Sequence, residues 1–124
     1  MRNRVLVLAA VNGFLVVLLG AFGAHGLESV LPPARLETWH TAVLYHMFHT
    51  AALFGTGLLI ESRSPAKIFY GSAQLFLAGI LLFSGSLYFL ALTGASWLGM
   101  ITPAGGLAFL GGWWLLAMGV WKQQ

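Results

Sequence analysis

Residues 5–24 form an unbroken run of twenty residues without a charged side chain. As a helix rising 1.5 Å per residue, such a run is about 30 Å long, the thickness of a bilayer's hydrocarbon core. Three further uncharged stretches follow at residues 38–60, 68–92 and 103–121. Only 7% of the 124 residues are charged, whereas a soluble domain carries about a quarter. A soluble fold of this size needs a polar surface, and six basic and three acidic side chains cannot supply one. Lipid is the solvent that suits this composition, and in lipid the backbone must satisfy itself within helices. The sequence therefore predicts a single all-α domain: a polytopic membrane protein with four transmembrane helices in an up-down bundle joined by short loops.

The first span follows two arginines and ends in small residues, as a signal peptide does. Its apolar run exceeds the usual 7–15 residues of a signal sequence, so it is read as a retained helix. The paired Pro32 and Pro33 are expected to keep residues 25–37 out of helix, with the second span starting near Thr38. Thr102 and Pro103 are expected to serve as N-cap and first residue of the fourth span. Arg2, Arg4, Arg63, Lys67 and Lys122 lie at one end of a four-span arrangement, and Arg35 alone at the other. Basic residues favour the inner side, so both termini are expected in the cytoplasm of a bacterial inner-membrane protein. The net charge of +3 comes from dispersed residues and forms no nucleic-acid patch. With no cysteine, disulfides, thiolate metal sites and cysteine nucleophiles are excluded.

Small residues recur at sevenfold spacing: Gly13 with Gly20, Gly71 with Ala78 and Gly85, and Gly105 with Gly112 and Gly119. That spacing keeps them on one helix face, where missing side chains let helices approach closely. Asn12 and Gln74 lie at similar depths in the first and third spans, about 10 Å from the basic end, and are expected to face inward and hydrogen-bond each other. The outer half of the bundle is expected to gather His25, His46, His49, Ser84 and Tyr88. Ionisable groups at such depth face the bundle interior and often mark a binding or proton path. The same residues equally suit a packing role, with neutral imidazoles bonded to hydroxyls and carbonyls. A metal site would need His25 to meet His46 and His49; haem ligation and a proton or quinone site are the other chemistries histidines could serve. No resident metal or catalytic residue is assigned, and the cofactor is left unknown. Glu28 and Glu37 are read as solvated or paired with Arg35.

Four segments together resemble one family. They are Gly20-Ala21-Phe22-Gly23-Ala24-His25-Gly26, then Tyr45 with His46 and His49, then Phe83-Ser84-Gly85-Ser86-Leu87-Tyr88, and finally Leu98 through Gly106. The chain is similar to the YgdD-like family of small inner-membrane proteins along nearly its whole length. The resemblance implies four helices in the inner membrane, with mitochondrial relatives, and implies no agreed activity. The expected role is that of a non-catalytic accessory or assembly component acting through helix packing, with the lipid bilayer and a homo-oligomer or larger membrane complex as partners. A small oligomeric transporter or channel, or a ligand-, proton- or metal-binding protein using the histidines, is the alternative.

Overall fold

The computed structural model describes residues 3–64 and 66–124; Arg2, counted above among the basic residues, lies outside them. Helix α1 spans Arg4–His25 and α2 spans Pro33–Ser62. The third span, Lys67–Thr93, is composite. It consists of α3 (Lys67–Gly79), one π turn (Ile80–Ser84) and α4 (Gly85–Thr93). A short 3₁₀ turn, Ser96–Met100, leads into α5, Thr102–Lys122. Each span is long and apolar enough to cross a membrane. The fold is all-α with four spans: α1 packs on α2, α2 on the third span, and the third span on α5.

Two helix starts differ from expectation. Helix α2 begins at Pro33, not near Thr38, because proline at the first helical position loses only a backbone N–H that has no intrahelical partner. Thr102 does not cap α5: it is already helical, and its hydroxyl meets Ser86 Oγ at 2.6 Å. Helix α1, by contrast, has a side-chain cap. Asn3 Oδ1 accepts from the Val5 and Leu6 amides, while its Nδ2–H donates to Gly57 O on α2 at 2.8 Å.

The third span and α5 form the tightest seam. Phe69, Phe76 and Phe83 recur every seven residues on one side; Gly119, Gly112 and Gly105 recur every seven, in reverse order, on the other. A Cβ at Gly119 would come within 2.6 Å of Phe69, and one at Gly112 within 2.7 Å of Phe76. A Cβ at Gly105 would run into the backbone of Phe83. Gly79 on α3 receives Phe109 of α5 in the same manner. Ser72 Oγ–H donates to Gly112 O at 2.8 Å across this seam. Association in lipid has no hydrophobic drive and rests on contacts of this kind. On α1 the close approach falls at Gly23, where Trp39 fills the notch; Gly20 and Gly13 meet Val43 and Thr50 at looser distances of 3.5 and 4.0 Å. Gly85 seats no neighbouring helix, since the nearest atom to an added Cβ is Ile80 O at 3.8 Å.

The larger core cluster joins Val5, Ala9, Leu53, Ala73, Phe76, Ile80 and Phe109. A smaller cluster, at the end of the bundle opposite Lys67 and Lys122, joins Leu27, Trp39 and Ala91.

Candidate functional site

The two buried histidines of α2 lie three residues apart and lead to different helices. His46 is 3% exposed and bridges α1 to α4: its Nε2 lies 2.9 Å from Asn12 Oδ1, and its Nδ1 lies 2.9 Å from Tyr88 Oη. The partners fix the direction of every bond. Asn12 Nδ2–H donates to Leu8 O at 2.8 Å, so its Oδ1 is the acceptor facing His46. His46 therefore donates from Nε2 and, when neutral, accepts the Tyr88 hydroxyl proton at Nδ1. The chain Tyr88, His46, Asn12 runs one way and ends on a backbone carbonyl of α1.

His49, also 3% exposed, belongs to a second group. Its Nδ1–H donates to Tyr45 O at 2.8 Å, and its Nε2 accepts the Trp113 indole N–H at 3.0 Å. A carbonyl only accepts and an indole N–H only donates, so His49 is held as the neutral Nδ1–H tautomer. Its ring stacks on Phe109, with centroids 3.5 Å apart and planes 9° from parallel. Thus α2 is pinned to α5 by one side chain and to α1 and α4 by another, one turn apart.

Of the five residues expected to gather, His46 and Tyr88 meet directly. Ser84 is fully buried and donates to Ala42 O at 2.8 Å, bonding α2 next to the His46 group without joining it. His49 faces α5. His25 is exposed at the C-terminal end of α1, and among the described residues no three His, Asp or Glu side chains cluster as metal ligands. The meeting of His25 with His46 and His49 that a metal site would need does not occur: a side chain at the last turn of α1 cannot reach a group pointing between helices lower in the bundle. The expected pairing of Asn12 with Gln74 is also corrected. Asn12 bonds His46 and its own helix, while Gln74 is exposed on the side of α3 away from the core.

Two contacts carry no signal that residue type or spacing could reveal. The Arg35 guanidinium donates from Nε to Ala91 O and from Nη2 to Leu92 O, both at 2.8 Å. It thereby caps the carbonyl end of α4, where a cation is also favoured by the helix dipole. Arg35 is thus engaged by backbone, and among the described residues it forms no ion pair with Glu28 or Glu37, which are exposed. Trp39, 2% exposed, donates its indole N–H to Leu19 O at 3.0 Å and lies against Tyr88, centroids 4.7 Å apart. Among the described residues no buried side-chain nitrogen or oxygen lacks a hydrogen-bond partner.

Four apolar spans and an interior whose polar groups satisfy one another define a small polytopic integral membrane protein. Residues 19–106 match the family described as "Protein of unknown function (DUF423)", and the chain belongs to that family. It is 46% identical to the UPF0382 membrane protein YwdK of Bacillus subtilis, the match covering 94% of this chain and 95% of the relative. It is 43% identical to a UPF0382 membrane protein of Haemophilus influenzae, over 100% of this chain and 98% of that one. It is 40% identical to the UPF0382 inner membrane protein YgdD of Escherichia coli, over 92% and 86% respectively. No solved structure matches the chain.

Proposed function

We propose that this protein is a non-catalytic component of the bacterial inner membrane that acts through helix contacts with other membrane chains, with both termini in the cytoplasm. One observation carries the proposal: the Gln74 carboxamide is exposed on the outer face of α3, seven residues into the span from Lys67. Seven residues place it about 10 Å along the helix axis. An amide at that depth facing lipid lacks the partners that hydrocarbon cannot provide. A neighbouring transmembrane helix supplies them, at about 0.6–2 kcal/mol per interhelical bond. A second copy of this chain is the simplest such neighbour. In a parallel two-fold pair, Gln74 meets its own symmetry mate, and each carboxamide both donates and accepts.

The interior supports the same assignment. Both nitrogens of His46 and both of His49 are already bonded within the bundle, so neither offers a ligand a free nitrogen without breaking one of those bonds. The placement in the inner membrane rests on the basic residues at one end of the bundle and on the name of the Escherichia coli relative.

The test is photo-crosslinking in native membranes, with benzoylphenylalanine replacing Tyr70, which lies one turn from Gln74 on the same face and is 40% exposed. Adducts to a second copy or to another membrane protein are expected, and they should disappear when Gln74 is also replaced by Leu. Adducts to lipid alone, with or without Gln74, would refute the assignment.

A further inference from the structure

At the basic end of the bundle, α3 and α5 leave an open groove of about 510 Å³ between them. Lys67, the first residue of α3, and Lys122, the last of α5, both line it, and its apolar wall includes Gly71, Leu115 and Gly119. We propose that this groove binds a phosphate ester, supplied as the head group of an anionic phospholipid in that leaflet.

The shape and the chemistry agree. The two lysines mark the ends of their spans, so their ammonium groups sit at one bilayer boundary, the level of lipid phosphates. Below them the wall turns apolar, through Ile68, Gly71, Leu115 and Gly119. Gly119 is pressed against Phe69, and an added Cβ at Gly71 would stand 3.2 Å from Leu115. The groove is thus cationic at the boundary and hydrocarbon-lined toward the bilayer, as a phospholipid is anionic at its head and apolar along its chains. Glu61, the one acidic residue at this end, forms no ion pair with either lysine among the described residues, so their charge is not cancelled within the chain. Trp121, 76% exposed beside Lys122, belongs to the residue type that settles at head-group level. Basic pockets between spans are a recurring means of holding anionic lipid.

The full chain, in nanodiscs of equal parts phosphatidylglycerol and phosphatidylcholine, is transferred to mild detergent and its retained lipids are measured by native mass spectrometry. The wild type is expected to retain phosphatidylglycerol preferentially. Each lysine contributes about a five-fold preference, so Lys67→Gln with Lys122→Gln should lower it by about twenty-five-fold. Arg4→Gln with Arg63→Gln removes the same charge from the same end but outside the groove, and should leave the preference intact. Equal retention of both lipids by the wild type, or an equal loss in the arginine variant, would overturn the proposal. Displacement of the lipid by millimolar inorganic phosphate would also overturn it, by showing that the cations alone hold the ligand and the apolar wall contributes nothing.

Discussion

Gly105 and Gly106 are neighbours on α5 with the same chemistry and nearly the same depth, and the seam with the third span separates them sharply. A methyl at Gly105 would collide with the backbone of Phe83 and with the carbonyl carbon of Leu82, whereas a methyl at Gly106 would stand 3.9 Å from Phe83 Cδ2, an ordinary contact. Backbone cannot rotate away as a side chain can, so Gly105→Ala must push the two helices apart. Overpacking typically costs about 1–3 kcal/mol, and a collision with backbone belongs at the upper end, about 2–3 kcal/mol. Separation also stretches the Ser72 bond to Gly112 O and unseats Phe76 from Gly112, two turns further along. Gly106→Ala meets no clash and gains helix propensity, which leaves it within about 1 kcal/mol of the wild type. The two variants should therefore differ by about 2–4 kcal/mol. Unfolding by sodium dodecyl sulfate in mixed micelles, followed by the fluorescence of Trp113, measures the difference; Trp113 sits 5.0 Å from Phe76, centroid to centroid, and reports on this seam. Equal stability of the two variants, or a larger loss for Gly106→Ala, would refute the packing argument.

Other perturbations probe the polar contacts and the topology. Arg35→Ala should cost about 1–3 kcal/mol and speed amide exchange in the loop after α4, and Arg35→Lys should recover little, because an ammonium lacks the fork that reaches two carbonyls; full recovery by Lys would show that charge alone is needed. Tyr88→Phe and Asn12→Leu should each cost about 0.6–1.7 kcal/mol, with a non-additive double variant in a thermal-unfolding cycle; strict additivity would dissolve the His46 chain into independent contacts. A reporter fused after Gln124 should read cytoplasmic, and a periplasmic signal would invert the proposed topology.

The spans could be read from the sequence because charge is so scarce that each uncharged run declares itself. The sevenfold glycines of α5 were legible for a related reason: Gly105, Gly112 and Gly119 stay on one face whatever surrounds them. Which way a polar residue faces was harder. Depth follows from counting, but azimuth in a soluble helix is told by the contrast of apolar core and polar water, and in a membrane both sides of a helix are apolar. Hence Asn12 and Gln74, at similar depths, could be matched by counting although one faces His46 and the other faces away from the bundle. His46 and His49 met the same limit, since a separation of three residues was enough to send them to opposite neighbours. The Arg35 cap was hidden because its partners are carbonyls, which every residue has.

The π turn at Ile80–Ser84 has a consequence for how such a chain can change. An i→i+5 bond, Gly85 N–H to Ile80 O, admits one residue more than an α turn would. The residues beyond it are thereby re-aimed, so Ser86 and Tyr88 address α5 and α2 from a phase that an uninterrupted α-helix would not give them. The third span is in effect two helices spliced out of step, with Phe83 at the splice and Gly105 cleared to receive its backbone. Loss of a single residue there would restore a regular helix, leave its length adequate for the bilayer, and rotate the half beyond the splice against fixed neighbours. In this bundle an event as small as one deleted codon would re-aim the polar side chains beyond the splice.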